Sequence, residues 1–170
     1  ALISKYRTLK TSYISLMEQK IIRTLNVYYY GIMVLALLAG TLAYFLIMKS
    51  YVQPIDSLST LGQVIQYLVI FDALLTIPLG LYLCKKQCTK LCDLPDGDAK
   101  FLPYQKAATW RILLVGNSMV FAIAAFYLMG AYQSMLWIAA VSAIGWYFSK
   151  PSLRKMELEL QPKSPDQEDY

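Results

Sequence analysis

The stretch LGQVIQYLVIFDALLTIPLGLYL, residues 61–83, decides how this chain folds, because it holds a single carboxylate, Asp72, and no other charged side chain among mostly apolar neighbours. At about 1.5 Å of rise per residue such a helix reaches roughly 34 Å, enough to cross a hydrocarbon core of about 30 Å. Residues 25–48 and 109–131 have the same character, with at most one charge each. Residues 134–149 rise only about 24 Å and need a thinned or pinched bilayer or extra turns at their ends. They still read as a span, since Ser142 is the only plainly polar side chain between positions 135 and 148. Composition agrees: 57% of residues are hydrophobic and 16% charged, against about 25% charged in an ordinary soluble domain. The expected fold is all-α, an integral membrane four-helix bundle.

Charge sets the expected orientation. Lys and Arg crowd into residues 1–24 (Lys5, Arg7, Lys10, Lys20, Arg23), 84–108 (Lys85, Lys86, Lys90, Lys100, Lys106) and 149–170 (Lys150, Arg154, Lys155, Lys163). The connection 49–60 holds only Lys49, and the one around Tyr132 holds none. Positive residues stay cytoplasmic, so both termini and the middle connection are expected inside. Aromatic side chains fit the two interfaces, with Tyr28, Tyr82, Trp110 and Trp146 on the inner one and Tyr44, Tyr51, Tyr127 and Trp137 on the outer. The net charge of +5 then reflects topology and attraction to anionic lipid. No basic stripe interleaved with aromatics points to nucleic acid.

Residues 1–24 carry Leu2, Tyr6, Leu9, Tyr13, Leu16, Met17 and Ile21 at helical spacing, the pattern of an amphipathic helix lying in the interface. Met17-Glu18-Gln19-Lys20 also looks like a translation start, which would make residues 1–16 upstream sequence. Residues 25–149 form the membrane domain and 150–170 a charged cytoplasmic segment whose end, QPKSPDQEDY, has a disordered composition. In the first outer loop Pro54 stops one helix, and Asp56, Ser57 or Ser59 offers the cap of the next. The run LPDGD at 94–98 reads as a turn, with Pro103 as the following helix entry. Ala36/Gly40, Ala39/Ala43 and Ala139/Ala143 stand at the spacing that lets membrane helices approach closely, within one bundle or between protomers.

The chemistry on offer is sparse. With no histidine, the usual general base and the commonest metal ligand are missing. No Gly-rich phosphate loop occurs, and an enzyme is not expected. Cys84, Cys88 and Cys92 recur every four residues. On a helix the outer two stand about 12 Å apart, so all three cannot share one metal, and no fourth ligand is evident. Packing is therefore the expected role, since free cysteine behaves as a small hydrophobe; disulfides are not expected in the cytoplasm, and no cofactor is expected. The acidic turn at 93–98 lacks the ligand spacing of a calcium loop.

The intramembrane polar candidates are Asp72, Asn117, Gln66, Thr76 and Arg111. Arg111 has the reach to snorkel to the inner headgroups. Asp72, eleven residues from each end of its span, lies near the midplane, where a charge costs about 2.5–3.5 kcal/mol. Two readings stay open. Asp72 is structural glue, bonded to Asn117 or to a carbonyl freed by Pro78, or it is a proton or cation site reached by Gln66 and Thr76.

The segment IGWYFSKPS, residues 144–152, followed by Lys155, Glu157 and Leu158, together with LGQVIQY at 61–67, resembles a group of short four-span proteins of the Bacteroidetes inner membrane, over residues 17–160. The resemblance implies a four-helix inner-membrane protein and no particular activity. The expected function is a non-enzymatic accessory, scaffold or self-associating subunit, with lipid, a second copy or another membrane protein as partner. The alternative is a small transporter or proton-coupled or cation-coupled channel built around Asp72. Small multidrug exporters also have four spans and one intramembrane carboxylate, but theirs lies in the first span.

Overall fold

The computed structural model describes residues 2–95 and 97–161. Among them the chain is all-helical: α1 (Leu2–Met48), α2 (Thr60–Leu91), α3 (Asp98–Leu128), α4 (Gln133–Phe148) and α5 (Leu153–Leu160). Three helices, α1, α2 and α3, are long and apolar enough to cross a membrane. α4, with 16 residues, rises about 24 Å.

α3 is the hub, touching α1, α2 and α4. Small residues bring the backbones together, because a missing side chain lets a neighbour fill its place. Gly116 of α3 receives Ile32 of α1, and Gly40 of α1 receives Ile123 and Tyr127 of α3. Gly80 of α2 lies against Leu114 and Val115, and Gly145 of α4 against Ile77 and Val115. The Ala36 and Gly40 spacing seen in the sequence thus serves packing inside one chain, with Ala36 and Ala43 buried. The outward faces stay apolar and uncovered: Leu35, Leu38 and Leu42 on α1, Leu68, Phe71 and Leu74 on α2, Trp137 and Val141 on α4. An uncovered apolar surface this long is incompatible with water and natural in lipid.

The two ends of the molecule differ. The end that carries the α1–α2 and α3–α4 connections is tied by Ile55, whose N–H donates to the Leu128 carbonyl at 2.9 Å. Ser59 caps α2, accepting from the Gly62 N–H. The α3–α4 turn is made by Gly130 and Ala131, both at positive φ. At the opposite end, which we call the tail end, Ile21, Leu91, Phe101, Tyr104, Met156 and Leu160 form one buried cluster.

Two expectations change. α1 runs unbroken past position 24, so residues 2–24 do not form a separate helix, and Ile14 and Met17 pack on the tail-end cluster. The expected stripe partners Leu2 and Tyr6 have side chains outside the described residues. α3 starts at Asp98, which leaves Pro103 inside the helix and not at its entry. The segment after Pro151 holds a helix that the sequence reading did not foresee. Ser152 caps α5 by accepting from the Lys155 N–H, and Met156 and Leu160 bury its inner face. Residues 162–170, the rest of the stretch expected to be disordered, lie outside the described part.

Candidate functional site

Polar side chains gather at two levels. At mid-span, Ser118 of α3 and Ser142 of α4 share a hydrogen bond of 3.1 Å, both fully buried. Ser118 also lies beside the Asp72 carboxyl, so polar side chains of α2, α3 and α4 meet here. The carboxyl oxygen Oδ2 is buried and unpartnered. Asp72 borders an apolar cleft of about 360 Å³ lined by Ile65, Leu68, Val69 and Phe121.

The partner expected for Asp72 was Asn117, but Asn117 is exposed on the far side of α3. One residue further turns a helix by about 100°, and that step places Ser118, not Asn117, against α2 and α4. Gln66 and Thr76 are not drawn into a crevice with Asp72. Gln66 Nε2 donates to the Ser57 carbonyl at 3.0 Å, and Thr76 Oγ1 donates to the Asp72 main-chain carbonyl at 2.7 Å. Each hydroxyl or amide thus satisfies local backbone, the usual use of such donors inside helices.

The second level lies at the tail end. Arg111 does not snorkel: it is only 3% exposed. Its Nη1 meets Glu159 Oε1 at 2.6 Å, and the Tyr104 hydroxyl donates to Glu159 Oε2 at 2.8 Å. Both carboxylate oxygens therefore carry a donor, and α5 is fastened to α3 by a charge-assisted pair. The guanidinium keeps two buried nitrogens, Nε and Nη2, without an acceptor. A buried donor left unpaired costs about 1–3 kcal/mol, so this is the place where the fold carries an unmet electrostatic need. Lys155 adds a second cation, its Nζ donating to the Phe148 carbonyl. Burial, and then the neighbouring Arg111, pushes the Lys155 ammonium below the usual lysine range.

The cysteines border the same cluster. Cys84 and Cys88 are buried, with sulfurs 3.8 Å apart. Cys92 is turned aside, its Sγ lying 3.2 Å from the Cys88 and Gln161 carbonyls. A cleft of about 660 Å³ is lined by Cys88, Cys92, Arg111, Lys155 and Glu159, and Arg111 and Cys84 also border a smaller one between α2 and α3.

Glu159 is the member that sequence reasoning missed. Its charge reads as part of a solvated segment, and only the docking of α5 brings it to Arg111. A signal was there: Ser152 followed by Leu153, Met156 and Leu160 is a cap followed by a helical stripe. Comparison with family models, curated proteins and solved structures gives no match to this chain.

Proposed function

We propose that the protein is a non-enzymatic, four-span accessory or scaffold subunit of a bacterial inner membrane, with both termini and the connection 84–108 in the cytoplasm. The observation that carries this reading is how the polar side chains are spent. Gln66 and Thr76 satisfy backbone, Ser118 and Ser142 satisfy each other, and Arg111 and Glu159 fasten the tail helix. What the protein offers its surroundings is the broad apolar outer face of α1 and α2, suited to lipid or to another membrane helix. The charge asymmetry of the connections supports the orientation, and the crowded Lys and Arg favour anionic headgroups on the inner side. α4 crosses as the fourth span in a locally thinned bilayer.

The test has two parts. In a cysteine-free background, Cys at Ser57 should react with an impermeant maleimide in intact cells, whereas Cys at Glu157 should react only after lysis. Buried Cys88 reports nothing in such an assay. The reverse pattern overturns the orientation. Photo-crosslinkers at Leu42 and Leu74 should then give one discrete protein adduct in native membranes; adducts with lipid alone would refute the scaffold role.

One observation favours the transporter reading, the unpartnered Oδ2 of Asp72 beside its cleft. That reading requires proteoliposomes to show a proton or cation flux that Asp72→Asn abolishes without unfolding the protein.

A further inference from the structure

Cys84 and Cys88 stand one turn apart on α2 with their sulfurs 3.8 Å apart. Zinc holds thiolates at about 2.3 Å in a tetrahedral site, which sets a sulfur–sulfur edge of about 3.8 Å. α5 brings a carboxylate oxygen of Glu159 to the same place, and the three ligand atoms all lie within 4.8 Å of one another. We propose that Cys84, Cys88 and Glu159 form a three-ligand site for a borderline or soft divalent cation, zinc foremost, with its fourth position open to the cleft.

Two thiolates and one carboxylate select such a cation over magnesium or calcium, which take oxygen ligands. The exchange balances: two thiol protons leave, two sulfur–metal bonds form, and the charge of the cluster is unchanged by swapping two protons for one divalent ion. The Arg111–Glu159 pair stays intact, because each carboxylate oxygen that accepts from Arg111 or Tyr104 keeps a further lone pair. Donors of this kind behind a ligand are what orient metal-binding carboxylates.

Arg111 adds an independent reason. Its Nε and Nη2 are buried without acceptors, and the guanidinium acts electrostatically on the Cys84 sulfur. A neutral thiol is a poor acceptor for those donors, whereas a metal-bound thiolate carries the charge they lack. Cys92 stays outside the site, occupied with main-chain carbonyls. The cleft beside Cys88, Arg111 and Glu159 supplies the access route. Metal bound here joins α2 to α5, so docking of the tail helix becomes dependent on the cation.

The full-length protein, reduced, stripped of metal and held in nanodiscs, should be titrated with cobalt(II) and then zinc. One equivalent of cobalt should produce a thiolate-to-cobalt charge-transfer band that zinc removes, with two protons released per metal. X-ray absorption of the zinc-loaded protein should show two sulfur ligands at about 2.3 Å, unchanged in Cys92→Ser. Cys84→Ser/Cys88→Ser should lose the band, Cys92→Ser should keep it, and Glu159→Gln should bind at least tenfold more weakly. No band in the native protein at equimolar metal overturns the site, as does a band that survives Cys84→Ser/Cys88→Ser or vanishes in Cys92→Ser. Should the double variant fail to fold, the native protein decides alone, and a zinc-loaded spectrum without sulfur ligands refutes the proposal.

Discussion

Single residues divide here by whether their charge has been answered. Arg111 is answered on one nitrogen by Glu159, and its side chain is far more buried than that of its partner, 4% exposed against 23%. Removing the partner leaves a cation in a dry place, which costs about 3–5 kcal/mol when both ions are buried; with Glu159 partly exposed, the lower end applies. Glu159→Ala should therefore lose about 3 kcal/mol, read from unfolding in mixed micelles, while Arg111→Met with Glu159→Leu should recover most of it. Equal losses in the single and double variants would show that the pair does not hold the tail. At mid-span the Ser118–Ser142 contact is a neutral interhelical bond of the kind that contributes about 1 kcal/mol. Ser118→Ala should lose about that much, and Asn117→Ala should change stability little.

Helices in this molecule meet through glycine. A Cβ at Gly116 would lie 2.5 and 2.7 Å from the Cγ2 and Cδ1 atoms of Ile32, closer than carbon atoms approach without something moving. Overpacking of this kind costs about 1–3 kcal/mol. Gly116→Ala should weaken the α1–α3 contact by that amount, whereas Gly31→Ala, with nothing near its added methyl, should be neutral or stabilising. A disulfide-trapping pair across α1 and α3 distinguishes them: slower crosslinking only in the Gly116 variant is the expected result. α5 works differently, since eight residues are too few to be stable alone. Its helicity depends on burying Met156 and Leu160 and on the Glu159 pair.

Across the whole molecule, the tail end is where the first, second, third and fifth helices converge, in one cluster running from Ile21 to Leu160. Ending the chain after Lys150 uncovers Phe101, Tyr104 and Cys88 and leaves Arg111 without its carboxylate. The truncated protein should still insert, because insertion depends on the apolar spans, but its tail end should gain amide exchange and Cys88 should become reactive to maleimide. An unreactive Cys88 in that variant would mean that α5 does not cover the site.

The all-helical, membrane-crossing character was legible in residues 61–83 and the runs beside them, because lipid demands long apolar stretches whose backbone bonds close within each helix. The connections were legible for a similar reason, as caps and turns are local chemistry; Ser59 and the turn before Asp98 needed only their neighbours. Partners across helices were not. Whether position 117 or 118 faces Asp72 depends on the rotation of α3 about its axis, which the packing of Gly80 and Gly116 against neighbours decides. Glu159 meets Arg111 and the two cysteines only because α5 folds back over the end of α2 and α3. A contact between residues so far apart in sequence has no periodicity to betray it, so the Ser118–Ser142 bond and the tail-end cluster are decisions of the tertiary structure alone.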